Sequence, residues 1–432
     1  MAKASSTPIV HFLLAAGLFL SCSASDDLSM SHPQGEPHAV EVSMRVGVSA
    51  GIASRELNTW DGAQQVNDMR IYLFRCPQEN TEEKMFTYYI PQNIKDKGYF
   101  EVKDFDNKTP YYSSEHNGQP EQHAFYFSPF LESGYYYQFL AVGRDDKYVN
   151  SQDRLLEEQP SFKEGVTTLQ DAKMSLAENA VKQAENGTYD CSEFFSGVMR
   201  DETTKNETPI LVTDEPPYFF RATLTATRNV AGLMIYVTNI PSVVETNTQY
   251  GQTEKFTPTK LYVEATGLAT ETKLIDRIAP TSAKIYKTQT LGEIDFTTAN
   301  GWTIDEKEHV FIRPADKEKG WQKNSYLVSN FMMPTPESFM GNSPNAEGLG
   351  VTFYLHYTDD KGHHRYDNIK MTKSTGDLRR FPIEANHLYS LGSKSSTSND
   401  PYDLQKHYEP IMVDIAIEIE PAFEKKHEFE TE

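Results

Sequence analysis

The sequence predicts a mostly β protein of two β-sandwich domains, with one small helix inserted in the first. Three observations lead there. The chain has 432 residues, more than one ordinary domain uses. Tyr and Phe are plentiful at 24 each, and Thr and Val recur in short runs, a composition that favours strands. Runs of period-two alternation recur along the chain, and only one stretch has helical spacing.

The elements follow in order. After Lys3, residues Ile9 to Leu20 are apolar except for His11, a run too short to span a bilayer comfortably. It ends in Phe19-Leu20-Ser21-Cys22. Residues 1–21 therefore read as an export signal, and the join resembles a bacterial lipobox, in which Cys22 is acylated and becomes the mature N-terminus. Phe19 stands where such boxes usually have Leu, and the alternative is ordinary secretion with cleavage after Ala24. Residues 22–38 are polar and read as a tether. Then Val40, Val42, Met44, Val46 and Val48 alternate with Glu41, Ser43, Arg45 and Gly47, the pattern of a half-buried strand. Further strands are expected at 69–74, 86–90, 124–127 and 135–142, the last entered through a turn at Gly134. From Asp171 to Asn186, Met174, Ala177, Val181 and Ala184 share one helical face, and Asn186-Gly187 supplies the stop.

The charged, Pro-punctuated stretch from Met199 to Pro217 reads as a domain boundary, giving domains 39–207 and 208–432. The second domain is expected to hold strands at 220–227, 230–237, 260–265, 309–313, 326–332, 350–357 and 388–391. Asp359-Asp360-Lys361-Gly362 has hairpin-turn chemistry. Near the end, Ile411, Val413, Ile415, Ile417 and Ile419 occupy alternate positions between Pro410 and Pro421, forming a terminal strand within 410–420. Nine such residues extend about 30 Å. Asp414 and Glu418 need water, so this strand is expected at a sheet edge or added to another sheet.

Chemical motifs are missing. The formal charge of −21, with no basic stripe, argues against nucleic acid as a partner, because phosphate binding needs clustered Lys and Arg. No metalloprotease helix, phosphate loop, nucleophile elbow or paired-cysteine motif is present. The sequence therefore points to no catalytic residue, no cofactor and no metal site. His363-His364 beside Asp359 and Asp360 is the only arrangement that suggests ligands, but adjacent strand residues face opposite ways. Tyr111-Tyr112 and Tyr135-Tyr136-Tyr137 could stack on sugars, though core and sheet surface are their commoner use. Cys76 and Cys191 are either a disulfide or two buried thiols.

Several phrases in sequence order resemble the fimbrillins of Bacteroidetes (type V pili) with their minor, tip and anchor subunits. They are the lipobox at Cys22, the strand Val40–Val48 followed by Ile71-Tyr72-Leu73-Phe74, and Ser133-Gly134-Tyr135-Tyr136. Glu193-Phe194-Phe195-Ser196-Gly197, Arg228-Asn229-Val230-Ala231-Gly232-Leu233 and Asn386-His387-Leu388-Tyr389-Ser390-Leu391 complete the set. The resemblance implies two transthyretin-like, Greek-key sandwiches exported as an outer-membrane lipoprotein precursor and moved to a cell-surface fimbria. It also implies an Arg-specific protease that removes the first strand, and other fimbrial subunits whose C-terminal strand fills the groove left behind. On this chain the displaced strand is Val40, Val42, Met44, Val46 and Val48, and the donor is Ile411, Val413, Ile415, Ile417 and Ile419. Cleavage is expected at Arg55, with Arg45 the alternative, and both could equally be ordinary surface residues. The rival readings are a fimbrial anchor and a monomeric surface lipoprotein that binds glycan or host protein.

Overall fold

Alternating apolar residues build two large sheets in the computed structural model, each of nine strands. The structure describes residues 37–49, 66, 68–79, 85–102, 122–144, 155–201, 207–215, 219–247, 251–314, 322, 324–336, 350–371, 380–394, 399–405 and 415–420. For 45–49, 122–124, 201, 371, 394 and 415–420 only the backbone is described.

The first sheet takes β1 (Glu41–Ser49), β2 (Asp68–Pro77), β3 (Thr87–Tyr89), β4 (Gln122–Phe127) and β5 (Tyr135–Arg144). After β6 (Lys173–Ser175) and helix α1 (Glu178–Glu185) come β7 (Phe194–Asp201), β8 (Ile210–Val212) and β9 (Phe219–Arg228). The order across the sheet is β3-β2-β5-β7-β9-β1-β4, with β8 also paired to β5. The sheet curls on itself. Phe127 of β4 lies edge-on to Phe139 of β5, ring centroids 5.6 Å apart, and 4.8 Å from Phe100, which pairs with β2. The enclosed core includes Val40, Val42, Ile71, Leu73, Phe139, Met199 and Leu224.

The second sheet takes β10 (Ala231–Thr238), β11 (Lys260–Thr266), β13 (Gln289–Asp295), β14 (Ser325–Met332), β15 (Thr352–Thr358), β16 (His364–Met371), β17 (Leu388–Leu391) and β18 (Ile415–Glu420). Its order is β13-β11-β15-β16-β18-β17-β10-β14. The short β12 (Glu271–Lys273) pairs instead with β6, tying the two halves of the chain together. A contiguous core lies between the outer face of the first sheet (Tyr72, Phe74, Leu140, Phe194), the helix (Ala180, Ala184) and the second sheet (Leu233, Leu261, Phe353, Leu388).

The β-rich expectation holds, with three differences of detail. The helix runs only over Glu178–Glu185, where Ala180 and Ala184 are buried one turn apart. Met174, expected on its face, is fully buried in β6, because Lys173–Ser175 finds a partner strand that local spacing cannot reveal. The passage from one sheet to the other falls between Arg228 and Ala231, so β8 and β9, which lie beyond 207/208, are strands of the first sheet. The described residues of 199–217 include the end of β7 and the whole of β8, both in the first sheet. Cys76 and Cys191 are both buried and form no disulfide with each other, and burial pushes the Cys191 thiol far above its ordinary pKa.

Candidate strand-exchange site

Two strands sit wedged between neighbours in ways that matter for assembly. The first is β1. It runs parallel to β9 from Glu41↔Phe219 to Ser49↔Thr227 and antiparallel to β4 from Val42↔Phe127 to Gly47↔Gln122. Val40, Val42 and Met44 are at most 1% exposed, because their side of the pleat faces the enclosed core. Just before the strand, Val40 N donates to Pro129 O at 3.0 Å. Burying one such side chain contributes roughly 1.5–3 kcal/mol. Removing β1 would bare the inward edges of β9 and β4 along one strand-wide gap, with the core beneath it.

The second is β18. Ile415, Ala416 and Ile417 pair in parallel with Ile369, Lys370 and Met371 of β16. Glu418, Ile419 and Glu420 then pair antiparallel with Ser390, Tyr389 and Leu388 of β17. The terminal strand is thus no edge strand: it is seated between two strands of its own chain. The expectation failed because alternation fixes which face is apolar but not which strands lie on either side. Without β18 the path breaks into β13-β11-β15-β16 and β17-β10-β14, each ending in an unpaired edge. The rim of this slot is firmly built. Tyr389 is fully buried, its hydroxyl accepting from Glu384 N at 2.9 Å and donating to Pro382 O at 3.0 Å. Burial raises its pKa. Ile369 and Leu388 belong to the core.

The remaining sites expected from sequence are placed as follows. Cys22, Arg55, Ile411 and Val413 lie outside the described residues. Arg45 is at the middle of β1, opposite Thr223 on one side and Ala124 on the other, with Val46 and Val48 following on the same strand. Side chains of Arg45, Val46, Val48, Ile415, Ile417 and Ile419 are not described.

Three phrases that sequence reading treated as separate signatures meet at one buried junction. The Arg228 guanidinium, fully buried, binds Glu193 through Nε and donates from Nη1 to Asn386 Oδ1 at 3.2 Å. Backbone bonds of 2.9 Å join Asn229 N to Phe194 O, Asn386 N to Val230 O and Gly232 N to His387 O. Ser196 Oγ lies 2.8 Å from Asn229 Oδ1. At Gly197 a side chain would meet the Thr225 carbonyl at 2.2 Å, so only glycine lets β7 and β9 approach this closely. Sequence reading singled out these residues without a reason for them; the reason is that they carry the crossing from the first sheet to the second and position β17 at the rim of the β18 slot.

With either strand gone, this arrangement would offer backbone edges beside an apolar groove, the equipment for adding a strand. No family model matches the chain, and no curated protein does. Among solved structures the chain is similar to the tip fimbrial protein Mfa3 of Porphyromonas gingivalis with C-terminal truncation, at 12% identity and a TM-score of 0.34, over 82% of this chain and 94% of that one. It is similar to the fimbrial anchor protein Mfa2 of the same organism at 8% identity and a TM-score of 0.35, over 82% and 90%. A candidate cell adhesion protein from Bacteroides eggerthii shares 9% identity at a TM-score of 0.36, over 89% and 95%.

Proposed function

We propose that this chain is a structural subunit of a cell-surface fimbria, a minor or tip-associated component that contributes to adhesion and joins its neighbours by strand exchange. One observation carries the reading. The first strand and the terminal strand have the same five-position apolar alternation, Val40 to Val48 and Ile411 to Ile419, and the described part of each, 41–49 and 415–420, lies between two other strands. A strand of the second kind can therefore replace one of the first without changing the pattern offered to the core. Five buried aliphatic side chains contribute on the order of 10 kcal/mol before ordering costs. Backbone pairing on both sides sets the register.

The route begins with export and acylation at Cys22, which holds the precursor at the outer membrane. An Arg-specific protease then cuts at Arg55. Arg45 is the poorer substrate, since its backbone pairs with strands on both sides and would have to leave the sheet before a protease could bind it. Release of β1 opens the slot beside β9 and β4. The terminal strand of another subunit fills it after leaving its own place between β16 and β17. Until then β1 and β18 cap edges that would otherwise recruit strands at random.

A second reading has an observation of its own. With β18 seated in its own sheet the chain is closed, which suits an anchor or a monomeric surface lipoprotein binding glycan or host protein. N-terminal sequencing of protein recovered from surface filaments separates the two. A start at residue 56, or at 46, supports processing and exchange; a lipid-modified Cys22 in filament-free membranes, with no processed form, sinks them. Deleting 410–432 is expected to leave a secreted chain that no longer enters filaments, whereas a monomeric binder would keep its binding.

A further inference from the structure

The solvent-facing side of the second sheet carries a cluster that strand exchange does not use. On β11, β15 and β16, Leu261, Val263, Leu355 and Tyr357 point into the core, and the residues between them face outward. The register sets Tyr262, His356 and Tyr366 in one row and Thr358 beside His364 in the next, so His356 and His364 are diagonal neighbours on one face. His356 Nδ1 lies 3.0 Å from Glu264 Oε1. The carboxylate can only accept, so His356 Nδ1 donates to it, and Nε2 of that tautomer keeps its lone pair. That nitrogen faces His364 Nδ1 at 3.0 Å. The His356 ring is held in place, stacked on Tyr366 with centroids 4.0 Å apart and planes at 15°. Thr246 Oγ1 donates to the His364 carbonyl at 2.6 Å and fixes that end of β16.

We propose that His356 and His364 form a two-imidazole site for a divalent transition-metal cation, with Cu2+ the preferred ion. Imidazole nitrogens bind such ions at about 2.0–2.1 Å, and the two nitrogens, 3.0 Å apart in a hydrogen bond, reach one ion once the exposed His364 ring turns so that its lone pair meets the ion on the His356 Nε2 side. Two neighbouring imidazoles with water in the remaining places suit the square-planar geometry of Cu2+ or Ni2+. Cu2+ also stands highest in the general affinity order. To bind, His364 moves its proton from Nδ1 to the outward Nε2, so both rings stay neutral and no proton is lost. Glu264 behind His356 completes the carboxylate–imidazole–metal line that orients such ligands. The Glu264 and His356 side chains are 12% and 9% exposed, while His364 is open to solvent, which gives the ion an entrance. Among the described residues no three His, Cys, Asp or Glu converge as ligands, so water fills the other positions. His363, next in sequence, is excluded: its nitrogens face Asp359 at 2.7 Å and Glu254 at 3.3 Å.

The test titrates CuSO4 into the full mature chain, purified without a histidine tag, by calorimetry against a competing chelator. Wild type is expected to bind one more equivalent of Cu2+ than His364→Ala or His356→Ala, and electron paramagnetic resonance of that equivalent to show imidazole nitrogen coupling. His363→Ala should keep the equivalent, and Glu264→Gln should keep it with about 10- to 100-fold weaker affinity. His364 is exposed, so its variant is expected to fold, checked by circular dichroism. Equal stoichiometry and affinity in wild type and His364→Ala would overturn the site, as would no Cu2+ binding by wild type.

Discussion

Single residues hold the parts of this protein that local pattern leaves loose. Arg228 is the strongest case, since its buried charge is matched by Glu193 and Asn386. Truncating it takes the guanidinium away from the buried Glu193 carboxylate, and Arg228→Ala is expected to lower unfolding free energy by about 3–5 kcal/mol in urea titration. Replacing both partners, as Arg228→Met with Glu193→Leu, should cost less than either single change, because an apolar pair needs no desolvated charge. His363 sets a pH response at the β15–β16 turn. A hydrogen bond to Asp359 holds its imidazole above the ordinary pKa of about 6.5. A raised imidazole pKa contributes stability that is present in full below the unfolded value and lost as pH rises through the folded one. For Asp359, burial acts upward but hydrogen bonds from His363 and from the backbone outweigh it, so its pKa is lowered. Its contribution is present above the ordinary carboxylate range and fades as pH falls through the folded value. The turn is therefore held best between those limits. Nuclear magnetic resonance titration should place the His363 midpoint above that of an ordinary histidine, and Asp359→Asn should bring it down.

At the scale of elements, β1 and β18 matter because both have a strand on either side while lying near the ends of the described chain. Alternation made both legible in sequence. It gave no neighbours, so the slot between β16 and β17 came only from the fold. Ile369 and Ile415 are register partners there. Adjacent strands lie about 4.8 Å apart, which suits a disulfide. Ile369→Cys with Ile415→Cys is expected to close an intrachain bond in the isolated monomer, seen as a mobility shift on non-reducing gels. If exchange builds the filament, the oxidised variant should stay out of filaments and the reduced one should enter. Oxidised chains that polymerise as well as wild type would mean that β18 never has to leave. Met174 teaches the same limit: its spacing fitted a helix, and a distant partner strand took it instead.

Across the whole molecule, the helix and the facing sides of both sheets share one contiguous core. Two sandwiches expected as separate domains would unfold separately, whereas a shared core couples them. Urea unfolding is accordingly expected to give one transition, with far-ultraviolet circular dichroism and tryptophan fluorescence coinciding. Two resolved transitions would mean that the contacts between the sheets contribute little. Truncation of Phe194, which belongs to that core, should destabilise both halves together.

The sequence by itself determined the β-rich class, the positions of most strands and the two alternating segments at either end, because side-chain period is a local property of the backbone. It also singled out Glu193, Arg228 and Asn386, though without their purpose. Tertiary structure alone decided that these three close one junction, that the change of sheet follows Arg228, that His356 rather than His363 partners His364, and that the terminal strand rests in its own sheet. Each of those depends on which distant strands become neighbours, and strand pairing is set by the summed fit of whole faces, which no short stretch of sequence encodes.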